Sequence, residues 1–158
     1  MVRAATVQDL PSVMAIYDTA RRYMRANGNA VQWVNGYPSE PLLRQDIRDG
    51  VLYVMEDGDG VYAVFAFIIG DDPTYGHIEG AWRDGSPYGT IHRLGSDGTH
   101  RGVFAETAAW AARQCPHLRA DTHADNLTMR HCMEKAGFVY CGVIRVADGT
   151  PRVAYEKV

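Results

Sequence analysis

The chain has 158 residues, 46% of them hydrophobic and 22% charged, with a net charge of −3 and a pI of about 6.0. That length suits one domain with a real core. The absence of a Lys/Arg-rich run argues against a nucleic-acid groove or an anionic membrane as partner. The longest apolar run, Val61 to Ile69, is too short to span a bilayer. Cys115, Cys132 and Cys141 form no CxxC pair, which disfavours a disulfide framework or a zinc site. No charged-then-apolar leader opens the chain, and the expected location is cytoplasmic.

Taken in chain order, Val2 to Ala5 is β-like. Thr6 and Asp9 have capping-box spacing, and Leu10, Val13, Tyr17, Ala20 and Met24 recur at helical intervals, so residues 7–26 are predicted as a helix. Asn27-Gly28-Asn29 ends it. Ser39 and Pro41 open a second helix that Gly50 closes. Residues 51–56 and 61–69 are β-rich and flank Asp57-Gly58-Asp59-Gly60, a hairpin turn. That turn lacks the later ligands and closing Glu of a calcium loop. Tyr88 to Ser96 is a strand, Val103 to Cys115 an Ala-rich helix, and His117 to Thr122 a strand. Asp125 is placed to cap a helix carrying Met129, Cys132, Met133 and Ala136 on one face, which Gly137 ends. Residues 138–146 and 152–157 are predicted as strands around an Asp148-Gly149 turn. The order is β-α-α-β-β-β-α-β-α-β-β.

This order resembles that of the GNAT family of N-acetyltransferases along nearly the whole chain. The most specific segment is Asn126 followed by Glu134-Lys135-Ala136-Gly137-Phe138. The resemblance implies a single α/β domain over residues 1–158. It implies a mixed sheet of six to seven strands, about four flanking helices, and splayed fourth and fifth strands with the pantetheine arm of acetyl-CoA between them. Acetyl-CoA is the implied donor, as co-substrate, with no metal. Its implied contacts are Leu94 and Ser96 on the strand, Arg101, Gly102, Val103 and Phe104 at the next helix start, and Asn126 and Met129 near the last helix. The physical basis is that free N–H groups at a helix N-terminus converge on an anion. Two positions depart from the family's pyrophosphate loop: Thr99 replaces the basic residue, and Phe104 replaces a small one and is expected to crowd the phosphate. Met133 stands where many relatives have an acid-supplying Tyr.

On the strand 88–96, strict alternation puts Thr90, His92 and Leu94 on one face. His92 is the candidate base, because imidazole exchanges protons near neutral pH; the alternative is a histidine that holds a neighbouring backbone. Glu79, among aromatics in Tyr75-Gly-His-Ile-Glu-Gly-Ala-Trp82, is the second catalytic candidate, binding an ammonium group or taking its proton through water; otherwise it is an exposed turn residue. Trp33, Tyr37 and Trp82 are candidates for the acceptor pocket or for a small core of their own. His123 is a substrate candidate or, with Asp121, a structural pair. Cys132 shares the helix's apolar stripe, and nothing beside it in sequence activates a thiol, so direct transfer is favoured. The expected function is acetyl transfer from acetyl-CoA to a primary amine of a small molecule, by a monomer or homodimer. The alternative is a catalytically weak or inactive protein of this fold that senses CoA or a metabolite, or serves as a partner subunit.

Overall fold

The computed structural model describes residues 1–158. Eight strands and four α-helices are present, in the order β1 (Val2–Ala4), α1 (Leu10–Ala26), α2 (Glu40–Arg48), β2 (Leu52–Asp57), β3 (Gly60–Ile69), β4 (Glu79–Gly80), β5 (Gly89–Ser96), α3 (Val103–Gln114), β6 (Leu118–Thr122), α4 (Leu127–Lys135), β7 (Val139–Arg145) and β8 (Pro151–Lys157). The strands form a mixed sheet in the order β1-β2-β3-β5-β6-β8-β7-β4. The expected six to seven strands become eight because β4 is a two-residue strand. The chain packs as two compact units, residues 1–67 with 93–103, and residues 68–92 with 104–158.

In the first unit, Arg3 is forked onto Asp9 with two 2.8 Å bonds, and Asp9 Oδ2 accepts from the Thr6 N–H at 2.7 Å. This capping box starts a short 3-10 turn, Val7–Asp9, that runs into α1. Leu10, Val13, Ile16 and Tyr17 of α1 pack with Leu43 of α2, Leu52 and Val54 of β2, and Val64 and Ala66 of β3. Ser39 caps α2 through the Leu42 N–H.

In the second unit, β5 runs parallel to β6 through Gly89↔Leu118, Thr90↔Arg119 and Ile91↔Ala120. The ladder stops there although β5 continues to Ser96 and β6 to Thr122; this is the expected splay. Asn126, rather than Asp125, caps α4, accepting from the Met129 N–H at 3.1 Å. Gly137, at φ 92°, ends α4, and the Phe138 N–H donates back to the Met133 carbonyl. Phe138 packs edge-on against Phe104, with ring centroids 5.4 Å apart.

β4 exists because two glycines let backbones meet. Gly80 and Gly142 have φ of 134° and 150°, and a Cβ on either would fall 2.2 Å from the facing carbonyl oxygen. A two-residue strand with glycine at its end carries no alternation, so periodicity misses it.

Candidate active site

The second unit gathers its polar side chains around the segment between β3 and β5. Pro73–Tyr75 forms one 3-10 turn with Asp72 as its N-cap. Asp72 Oδ1 accepts from the Thr74 N–H at 2.9 Å and the Thr74 hydroxyl at 2.7 Å. The Asp72 N–H donates to Tyr88 Oη at 2.8 Å. These bonds hold the second carboxylate oxygen, Oδ2, 2.7 Å from Nε2 of His92. The side chains of His92 and Asp72 are 20% and 16% exposed. Burial raises the Asp72 carboxyl pKa, but the bonds from His92 and from Thr74 outweigh it and bring the pKa down to about 2. Asp72 is therefore a carboxylate at neutral pH and only accepts. The proton of neutral His92 must then sit on Nε2, leaving the Nδ1 lone pair unclaimed by the protein.

Tyr75 adjoins this pair. Its ring centroid is 6.2 Å from that of His92, and its buried hydroxyl donates to Asp121 Oδ2 at 2.6 Å. Burial first, and then the Asp121 charge, push the phenol well above its ordinary range. Trp82 Nε1 donates to the Tyr75 carbonyl at 3.0 Å. Beyond it, the Arg119 guanidinium lies between the rings of Trp82 and Tyr88, 4.0 Å from each centroid. Arg119 Nε donates to Glu156 Oε2 at 3.0 Å, and the same oxygen lies 2.7 Å from His117 Nε2. Glu156 Oε1 accepts from the Arg83 N–H at 2.6 Å. Tyr75, Tyr88, Ile144 and Ala154 make the apolar floor under these groups.

The expected site residues fall in different surroundings. His92 stands in this group. Glu79 does not: its side chain is 60% exposed on β4, 3.7 Å from Arg145. Trp82 is half-buried in the group's apolar floor. His123 Nδ1 accepts from the Asp125 N–H at 3.1 Å and lies 3.6 Å from the Asp125 carboxylate, while Asp121 accepts from the Tyr75 hydroxyl. Asn126 is the α4 cap, and Met129 on the first turn is half-buried.

In the first unit, Arg93 has φ 52°, so the regular alternation assumed for Thr90, His92 and Leu94 is interrupted after His92. The Tyr17 hydroxyl donates to the Arg93 carbonyl at 2.6 Å, and the Arg93 guanidinium meets the buried Asp46 at 2.7 Å. Leu94 and Ser96 are half-buried; Ser96 Oγ accepts from the Gly98 N–H. Trp33 packs edge-on against Tyr17 at 5.4 Å and belongs to that unit's core, whereas Tyr37 is exposed. In the loop before α3, Asp97 Oδ1 accepts from the Thr99 N–H and hydroxyl. His100 stacks on Tyr62 at 3.6 Å and meets Asp57 at 2.7 Å. Arg101 is exposed. Gly102 has φ 71°, with open space where a Cβ would stand. Val103 is buried, and so is Phe104. The Phe104 ring packs against Phe138.

Asp72 and Tyr75 were not anticipated as site residues. Asp-Pro-Thr reads as a turn with a cap, and that is its local role; the second role needs a partner 20 positions away.

No family model matches the chain, and no curated protein does. Among solved structures, it is similar to a GNAT-family acetyltransferase from Streptococcus agalactiae 2603. That similarity has 30% identity and a TM-score of 0.90, covering 100% of this chain and 94% of that one. A GNAT-family acetyltransferase from Listeria monocytogenes 4b F2365 is 17% identical, with a TM-score of 0.73 over 99% of this chain and 93% of the other. A ribosomal-protein-alanine N-acetyltransferase from Brucella melitensis is 20% identical, with a TM-score of 0.65 over 100% and 99%.

Proposed function

Since the chain belongs to the GNAT family of acetyltransferases, we propose that it moves an acetyl group from acetyl-CoA to a primary amine of a small molecule, with His92 taking the amine's proton. The observation that carries the reading is the 2.7 Å contact between His92 Nε2 and Asp72, which leaves Nδ1 as an acceptor. A base needs a free lone pair within reach of the proton it removes.

Acetyl-CoA supplies the acetyl group already activated as a thioester. The start of α3 fits its pyrophosphate. Gly102 leaves the backbone open and Phe104 is buried, and the positive end of a helix dipole favours an anion. Arg101 adds an exposed positive charge, while Asp97, bound by Thr99, is the opposing charge in the loop. Leu94 and Ser96 are assigned to the thioester carbonyl through the family pattern, a backbone N–H there meeting its developing negative charge. Asn126 and Met129 are assigned to the pantetheine side through the family pattern. The amine nitrogen bonds to the thioester carbonyl carbon and the C–S bond breaks; CoA leaves as its thiolate, His92 keeps the amine's proton at Nδ1, and the resulting imidazolium sits against Asp72. Glu79 is given no step, because it stands in solvent beside Arg145.

The test is release of CoA thiol on a panel of small amines and peptide N-termini. His92→Ala is expected to lower kcat about 10²-fold or more at neutral pH, with partial recovery at higher pH as more amine loses its proton unaided. Undiminished turnover by His92→Ala removes the base assignment. Stabilisation by acetyl-CoA without turnover of any amine favours the sensor reading instead.

A further inference from the structure

We propose that Asp72 is a positioning residue for acetyl transfer: its carboxylate selects the His92 tautomer whose Nδ1 can accept a proton, and fixes the ring that carries it. The inference rests on His92 acting as the base.

The geometry is over-determined. Pro73 restricts the turn's backbone, and two donors from Thr74 occupy Oδ1. The Asp72 N–H is tied to the Tyr88 hydroxyl. The carboxylate thus has little rotamer freedom, and its remaining oxygen is delivered to His92 Nε2 at 2.7 Å. A helix or turn cap needs only one side-chain oxygen. The second oxygen does nothing for the turn, and its partner lies on β5, 20 residues away. Neutral imidazole has one donor and one acceptor nitrogen. An acceptor-only partner on Nε2 makes Nε2 the donor and Nδ1 the acceptor. When Nδ1 takes the amine's proton, the charge formed on the ring lies beside the carboxylate, so Asp72 stabilises the product of that step without itself taking a proton.

Asp72→Asn separates the two roles. The Asn carbonyl keeps both Thr74 bonds and the cap. Its NH2 replaces Oδ2 and can only donate toward Nε2, so the ring proton is driven to Nδ1 and the lone pair there is lost. The readout is the two-bond proton–nitrogen correlation spectrum of the imidazoles, recorded at a pH high enough that the ring signals no longer change with pH. His92 is assigned among the six histidines by its absence from the His92→Ala spectrum. Wild type should show the Nε2–H tautomer and Asp72→Asn the Nδ1–H tautomer. The kcat should fall on the order of 10² to 10⁴-fold, with KM for acetyl-CoA little changed and the folded spectrum otherwise intact. An Asp72→Asn protein that keeps the Nε2–H tautomer overturns the positioning role. So does one that switches tautomer at undiminished kcat while His92→Ala is inactive. Full activity in His92→Ala is a different failure: it takes away the base reading itself, whatever tautomer Asp72→Asn displays.

Discussion

Glu156 has no exposed surface and places its carboxyl in the second unit's interior. Arg119, His117 and the Arg83 N–H occupy its two oxygens. Breaking one member of such a group leaves an uncompensated charge in a dry site. Glu156→Gln is expected to cost about 3–5 kcal/mol in urea unfolding, and Arg119→Met combined with it less than the sum of the two. Additivity would show that the pair acts independently. At Asp72 the linkage has a definite sign. Its folded pKa of about 2 lies below the ordinary 3.8, so the stability it contributes is complete above 3.8 and disappears as pH falls through about 2. Asp9, lowered to about 2 first by its Arg3 bond, adds to the same acid limb. Asp72→Asn should flatten part of the fall in stability between pH 4 and 2 and leave the Asp9 part. An unchanged acid limb would mean that the carboxylate is not held as described.

At the scale of elements, β4 depends on two glycines rather than on side chains. Gly142→Ala places a methyl 2.2 Å from the Glu79 carbonyl oxygen and asks Ala to hold φ 150°. The β4–β7 pair must open or distort, at about 1–3 kcal/mol. Amide hydrogen exchange at Ala81, whose N–H donates to the Cys141 carbonyl, should then speed up. Protection equal to wild type at that amide would contradict the close approach. α4 shows a different economy. Its two ends are made by Asn126 and Gly137, and Met133 is its buried residue, so the motif that resembles the family's is also a complete helix with a cap at each end.

For the whole molecule, the expected partner is acetyl-CoA. At about 100 times its dissociation constant a ligand adds about 2.7 kcal/mol, which should appear as a raised melting temperature. Gly102→Asp should abolish most of that shift, because a carboxylate at the α3 N-terminus opposes an incoming phosphate and its side chain covers the open backbone. Arg101→Ala should diminish the shift far less, since an exposed charge contributes roughly 1 kcal/mol or less. Equal shifts for wild type and Gly102→Asp would move the phosphate site elsewhere.

The sequence alone determined the features that arise within a turn or two of chain. The Thr6–Asp9 box, the Asp57-to-Gly60 hairpin, the Gly137 stop and the order of the larger elements all rest on local backbone preferences. Their signals lie side by side in the residues. His92 was legible as a strand residue with suitable chemistry. Only the tertiary structure decided what it meets, because Asp72 serves its own turn with one oxygen and β5 with the other. The same limit hid β4, which has no periodicity to detect. It hid the burial of Glu156 and Arg119, which meet only when β6 and β8 are paired. Phe104, read as an obstruction, is in the core because Phe138 comes to it from 34 positions onward. Contacts of that span depend on which elements the fold brings together, and a local pattern carries no record of them.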